Sequence, residues 1–274
     1  MRRPSTGRLA ADAALLLTAA AFALPLLWLL LASVDPSADS RVRAPSSLTA
    51  DHFTAVLTDE ITFTPLLNSL LLCGGATLVS TLCATLAAYP LSRHRSPWGR
   101  AYLLTILFTT SLPITAIMVP VYGLFVQVNL IDTMYGTALF LAATQLPFSI
   151  WLMKNFMDSV PIALEEAART DGASGPQTLL RVVLPLMGPG LTVVTVYTFI
   201  QLWGNFFVPF MLLLTPEQLP ASVTVFTFFG NHGTVVYGQL AAFSMLYSTP
   251  ALLLYLLIAR RLGNGFALGG AVKG

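Results

Sequence analysis

The sequence predicts an all-α membrane protein with six transmembrane helices, and three observations lead there. Hydrophobic residues make up 55% of the 274 positions and charged residues only 9%, against roughly 25% charged in a soluble domain. The apolar residues gather into six charge-free runs, 13–34, 61–92, 101–131, 133–153, 182–216 and 218–259. Each run exceeds the ~20 residues a helix needs to cross ~30 Å of hydrocarbon. A helix also satisfies its own backbone hydrogen bonds, as any segment in lipid must. Finally, the basic residues fall on alternate connections.

The spans are expected near 13–33, 66–90, 101–125, 135–153, 187–213 and 239–259. Six crossings leave both termini on one side. If that side is the cytoplasm, the inner segments carry Arg2, Arg3, Arg8, Arg93, Arg95, Arg100, Lys154, Arg169, Arg181, Arg260, Arg261 and Lys273, and the outer ones only Arg41 and Arg43. Cytoplasmic segments collect Lys and Arg, so this imbalance predicts cytoplasmic termini. The first run follows Arg2 and Arg3 but is too long for a signal-peptide core and lacks a small-x-small cleavage site, so it reads as a span. The net charge of +2 fixes orientation through its placement and gives no reason to expect nucleic acid.

Between the spans, the outer segment 34–65 is the longest on its side. Its stretch "LTADHFTAVL" (48–57) reads as a short amphipathic helix with Thr49 or Asp51 as cap. The inner loop 91–100 is short and basic. The inner segment 154–185 is a long excursion, and the outer segment 215–238 holds Glu217 and the run "GNHG" (230–233). No internal repeat or low-complexity tail is visible. The chain is expected to form one transmembrane domain over 1–274, with a core of spans about 66–259 and an N-terminal span about 13–33. Pro25, Pro113, Pro120, Pro147, Pro189, Pro209 and Pro250 fall within the spans, where each removes a helix donor and favours a kink.

The inner excursion holds the most informative stretch, "DSVPIALEEAARTDGASGPQTLLRVVLP" (158–185). Pro161 suits a first helical turn, and Gly172 suits the left-handed residue that stops a helix. Pro176 then opens a second short helix through Leu179, Leu180 and Val183 to Pro185. Ala167 and Ala168 leave one side of the first helix smooth, and Glu166 and Arg169, three apart, are spaced to pair.

Glu166, Ala167, Ala168, Gly172, Val182, Leu184 and Pro185 follow the spacing E-A-A-x3-G-x9-[IV]-x-L-P. This resembles the cytoplasmic motif of permease subunits of ATP-binding-cassette (ABC) importers, and seven specified positions over twenty residues make it a specific signal. The likeness runs from about residue 12 to the end. "LLNSLLLCGGATLVSTLCATLAAYPLSRHR" (66–95) resembles the family's opening core helix. "LPFSIWLMKNFMDSVP" (146–161), "TFIQLWGNFFVPFMLL" (198–213) and "GGAVKG" (269–274) resemble its sugar-transporting, maltose-type branch. One departure is that many relatives read Trp-Asn-Glu where this chain has Trp203-Gly204-Asn205.

The resemblance implies a type I ABC importer permease fold with a cytoplasmic coupling helix, in the plasma (inner) membrane of a prokaryote. It implies a heterodimer with a homologous permease, two ATPase subunits and an extracytoplasmic solute-binding protein. Glu166, Ala167, Ala168, Gly172, Leu184 and Pro185 would form the ATPase-coupling loop, with the helix seated in a groove of the ATPase. ATP and Mg would be bound by that partner.

The rest of the chain offers little other chemistry. A phosphate-binding loop needs G-x4-G-K-[ST], and Lys154 and Lys273 follow Met153 and Val272. His52, His94 and His232 have no partner at metal spacing, and Cys73 and Cys83 lie ten apart on one span. The expectation is therefore a non-enzymatic subunit that binds no cofactor of its own. The six spans contain no Asp, Glu, Lys or Arg, whereas ion-coupled carriers usually place such residues there. A neutral polyhydroxy substrate favours aromatic, amide and hydroxyl partners. Asn68, Gln201, Trp203 and Asn205 are the candidate pathway residues, with Gln145 and Tyr247 beside them. Interhelical hydrogen bonding is the competing role for each amide. A permease for a non-sugar solute and a stand-alone carrier are the rival readings.

Overall fold

The computed structural model describes residues 6–94, 97–229 and 235–270, with side chains over 11–94, 97–229 and 235–258. Among the described residues every regular element is helical. Among the described residues four stretches are long and apolar enough to cross a membrane: Ala11–Ala32, Asp59–Arg93, Met134–Asp158 and Tyr237–Ile258. Two further spans are bent pairs, Gly99–Thr109 with Ile114–Gln127 at 89°, and Gly175–Leu186 with Gly188–Trp203 at 82°. The total is six when each bent pair counts once.

The third expected span, 101–125, is thus not a straight helix, and the local sequence explains why; the second break lies at Met187, at the very start of the fifth, 187–213. Helix α4 (Gly99–Thr109) ends in the run Thr109-Thr110-Ser111. The Thr109 and Thr110 hydroxyls donate back to the carbonyls of Ile106 and Leu107, both at 2.6 Å. The amides of Thr110, Ser111 and Leu112 bond three residues back, which tightens the last turn. Pro113 then sits extended, at φ −62° and ψ 125°, before α5 (Ile114–Gln127). By contrast Pro25, Pro90, Pro120, Pro147 and Pro250 lie inside continuous helices.

The chain divides into two compact units: Met1–Thr64 with Thr224–Pro250, and Pro65–Val223 with Ala251–Gly274. The first contains α1 (Thr6–Ala32), α2 (Asp51–Val56) and a π-helical turn, Asp59–Phe63. The expected helix over 48–57 is shorter than anticipated. Ala50 is its N-cap, and Thr49 Oγ1 accepts the Asp51 amide at 3.1 Å. The segment after α1 is knotted around Asp35, which is only 3% exposed. Its carboxylate accepts the Ser37 amide and hydroxyl, each at 3.0 Å, and Arg43 Nε at 3.1 Å. The His52 ring meets the Asp35 carbonyl at 2.9 Å.

In the second unit α3 (Thr64–Arg93) runs beside α6 (Met134–Asp158). Its buried residues include the small Ser69, Cys73, Ala76, Ser80, Ala84 and Ala88, a kind that lets helices approach closely in lipid, with Leu72, Thr77, Thr81 and Thr85 buried beside them. Cys83 is exposed and Cys73 buried. After α6 come α7 (Ile162–Thr170), α8 (Gly175–Thr178), a π-helical turn Leu179–Val183, and α9 (Leu184–Leu186). Then follow α10 (Gly188–Trp203), α11 (Phe207–Leu212), α12 (Ala221–Thr224) and α13 (Tyr237–Gly270), of which Thr224 and Tyr237–Pro250 belong to the first unit. A core of Ala84, Ala88, Met153, Met157, Val183, Met187 and Val194 joins α3, α6, the 179–187 segment and α10. Buried Ser149 on α6 and Thr198 on α10 share a 3.1 Å hydrogen bond inside it.

Candidate functional site

The excursion between α6 and α10 forms a knuckle. Pro161 is the extended N-cap of α7. The helix ends in a double closure, with Gly172 N–H donating to Arg169 and Ala173 N–H to Ala168, while Gly172 has φ +89°. This pair of bonds is a Schellman ending, which needs a left-handed residue where Gly172 stands. The Ser174 amide donates to Gln177 Oε1 at 2.9 Å and Pro176 lies in the first turn of α8.

The motif residues divide by exposure. Glu166, Ala167, Gly172 and Pro185 are exposed, while Ala168 and Leu184 are half-buried. Leu184 packs against the core below the knuckle. Ile162 and Leu164 on α7 and Leu180 after it are also exposed, by 53%, 44% and 63%. The result is a short helix with a mixed acidic and apolar outer face, rooted at both ends in the helix bundle.

Glu166 and Arg169 form no ion pair, contrary to the sequence expectation. The charge pairing belongs to the neighbouring residue, Glu165, which is 2% exposed. Its Oε1 accepts Arg93 Nε at 2.5 Å and its Oε2 accepts the Tyr89 hydroxyl at 2.9 Å. Arg93 Nη2 also donates to the Val160 carbonyl at 3.2 Å. Beside this pair, Asp158 accepts Ser92 Oγ at 2.6 Å and Lys154 Nζ at 2.5 Å. No spacing rule within α7 reveals the buried pair, because Arg93 lies 72 residues earlier.

A second feature is a cavity of about 500 Å³ bounded by α4, α5, α6 and α10 at the α4–α5 bend. Thr109, Thr110, Thr144, Gln145, Tyr197 and Gln201 give it polar atoms, Phe140 and Phe148 give it rings, and among the described residues no charged one lines it. The Phe148 and Tyr197 rings stand 4.7 Å apart. Of the four expected pathway residues, only Gln201 reaches this cavity. Asn68 Nδ2 instead donates to the carbonyls of Glu217 at 2.7 Å and Leu219 at 3.2 Å. Trp203 is buried and stacks on Phe199 at 5.4 Å. Asn205 Oδ1 accepts the Val208 amide at 3.1 Å, and its carbonyl accepts Ser222 Oγ at 3.0 Å. Gln145 does line the cavity, as do Thr109 and Thr110, which no sequence pattern singles out. The residues "GNHG" (230–233), with His232, lie outside the described residues. Among the described residues no group of three His, Cys, Asp or Glu is placed to hold a metal ion.

This architecture matches known proteins. Residues 77–264 match the model of the family "Binding-protein-dependent transport system inner membrane component". The putative ABC transporter permease protein ORF1 of Streptomyces antibioticus is 33% identical over 76% of this chain and 90% of its own length. The trehalose transport system permease protein SugB of Mycobacterium tuberculosis is 28% identical, covering 92% of each chain. The diacetylchitobiose uptake system permease protein DasC of Streptomyces coelicolor is 27% identical over 100% of both. Among solved structures, a chain of a bacterial ABC transporter involved in the import of the acidic polysaccharide alginate superposes with a TM-score of 0.80. That match covers 95% of this chain and 99% of the other at 24% identity. With its family model covering well over half of its length, this multi-pass membrane chain belongs to the binding-protein-dependent transport system inner membrane component family.

Proposed function

We propose that this chain is a permease subunit of an ABC importer and forms half of the translocation pathway for a neutral carbohydrate. The observation that carries the reading is the exposed α7 knuckle, whose Glu166, Ala167, Ala168 and Gly172 keep the family's spacing on a helix rooted in the bundle. Twelve inner basic residues against two outer ones support placing that knuckle and both termini in the cytoplasm. There it would dock in a groove on a separate ATPase subunit, which would hold ATP and Mg. Two such ATPases, a homologous permease and an extracytoplasmic solute-binding protein would complete the importer in a prokaryotic plasma membrane, with the whole chain working as one transmembrane domain. ATP-driven closure of the ATPases would move α7, and only a difference in its contacts between the two states can couple that movement to gating.

The uncharged cavity favours a sugar over a charged solute. Gln201 and Gln145 offer both donors and acceptors, the threonines offer hydroxyls, and Phe148 and Tyr197 offer flat faces. An acidic cargo would leave its charge uncompensated against this lining. Trehalose and diacetylchitobiose, the cargoes named for two relatives, are both uncharged sugars.

The test is reconstitution in liposomes with the ATPase, the homologous permease and the solute-binding protein proposed as its partners. ATP-dependent accumulation of a neutral di- or oligosaccharide is expected, with none for this chain alone. Transport by the isolated chain would select a stand-alone carrier instead. Uptake of an anionic but not a neutral glycan would overturn the substrate class.

A further inference from the structure

Helix α3 is bonded at both ends to parts of the chain it does not contact through sequence. At one end its Tyr89 and Arg93 occupy both oxygens of Glu165, at 2.9 and 2.5 Å, and the Arg93 and Glu165 side chains are only 6% and 2% exposed. Arg93 also grips the Val160 carbonyl at the α6–α7 corner. At the other end Asn68 holds the carbonyls of Glu217 and Leu219, and Ser69 Oγ accepts the Ala221 amide at 2.8 Å. Arg93 and Asn68 are 25 residues apart on one continuous helix, about 38 Å at 1.5 Å per residue.

We propose that Glu165, Arg93 and Tyr89 are positioning residues that make α3 follow α7, so that displacement of the knuckle is carried along α3 to the 217–221 connection. This rests on the reading of α7 as the ATPase-facing helix. A buried ion pair is a poor source of net stability, since well-packed apolar residues often serve as well. What it supplies is directional attachment. Charge-assisted hydrogen bonds fix distance and angle, whereas apolar contacts permit sliding. α7 is otherwise exposed along most of its length, and Glu165 is its buried attachment to that long helix, with Arg169 also close to the Tyr89 hydroxyl. The adjoining Lys154–Asp158 pair is 21% and 41% exposed. Exposed pairs hold weakly, so Asp158→Asn, which breaks this pair but keeps an oxygen that can accept Ser92 Oγ, serves as an internal control.

The experiment uses the complete transporter in liposomes and measures sugar taken up per ATP hydrolysed, alongside the amount of assembled complex. For Glu165→Gln and Arg93→Gln the ratio is expected to fall about 10-fold or more, since hydrogen bonds to charged groups are the stronger kind. Tyr89→Phe, which leaves both charges paired, should lower it about 2- to 5-fold. The exchanged double variant Arg93→Glu/Glu165→Arg should regain part of the lost ratio, and Asp158→Asn should match the parent. A purely structural role would reduce the amount of complex while leaving the ratio unchanged, and that result overturns the proposal. If the Gln variants do not assemble, Tyr89→Phe decides, with a parental ratio counting against the proposal. A parent chain that recruits no ATPase sinks the reading of α7 and this proposal with it. An ATPase-bound parent whose variants keep its ratio sinks this proposal alone.

Discussion

The carboxylate of Asp132 accepts both the hydroxyl and, at 3.0 Å, the amide of Thr215, 83 residues further along the chain. The Leu214 amide joins them at 2.8 Å, and the Asp132 amide donates to the Leu212 carbonyl at 2.8 Å. Asp132 and Asn129 both have positive φ, 57° and 55°, a conformation Asp and Asn tolerate better than most residues. The connection between α5 and α6 is thereby fastened to the residues after α11.

Acid should loosen this fastening. The Thr215 hydroxyl, then the Thr215 and Leu214 amides, hold the Asp132 carboxyl below its usual range. A lowered folded pKa stabilises the fold fully above the ordinary Asp value of about 3.9, and that contribution is lost as pH falls through the folded pKa. Asp132→Ala should melt at a lower temperature than the parent at neutral pH, and the gap should narrow below about pH 4. Thermal melts in detergent over a pH series would check this, and a gap that stays constant with pH would count against it.

Gly190 on α10 is a close-packing point. A Cβ there would come within 2.5 Å of Phe156 Cγ on α6. Gly190→Ala should cost about 1–3 kcal/mol, the usual range for overpacking. Combining it with Phe156→Leu should recover much of that loss. Denaturation midpoints of the single and double variants give the answer, and equal loss in both would show that ring contact is not the cause.

Gly172 should behave differently, because a Cβ there meets nothing within 4 Å and the strain lies in φ +89° alone. Gly172→Ala should weaken the α7 ending by about 1–2 kcal/mol. Gly172→Val should be worse, and Gly172→Asn close to the parent, since Asn enters this conformation readily. We expect the Val variant to assemble yet take up little sugar per ATP. Normal ATP-driven uptake by Gly172→Val in vesicles would refute the expectation.

Gln201 is the expected pathway residue that faces open space. Gln201→Leu should slow uptake at saturating binding protein about 2- to 10-fold, the worth of one hydrogen bond, without lowering the melting temperature. Asn205→Leu should instead lower stability, because it removes the acceptor for the Val208 amide. If the two variants exchange these phenotypes, the assignment of the cavity is wrong.

Much of this molecule is legible along the chain. Six apolar runs mark six crossings, and Gly172 announces the end of α7. Prolines are less legible. Pro113 coincides with an 89° break while Pro120, seven residues later, sits inside a continuous helix. The difference lies in the Thr110-Ser111-Leu112 turn, whose amides bond three residues back and close α4 before Pro113 arrives. That difference is local. The Glu165–Arg93 pair is not, because it depends on where α3 ends relative to α7. Local spacing pointed to Glu166 and Arg169 instead. Asn68 shows the same limit: its polarity suggested substrate, and its carbonyl partners 149 and 151 residues away give it a structural role.

The absence of fixed charge around the α4–α5 bend has an electrical consequence. A membrane potential does about 2.3 kcal/mol of work per elementary charge per 100 mV. An uncharged solute passing an uncharged wall neither gains nor loses any of it. Flux of an uncharged solute past this wall is expected to be indifferent to voltage, so the cell's battery does not set its direction.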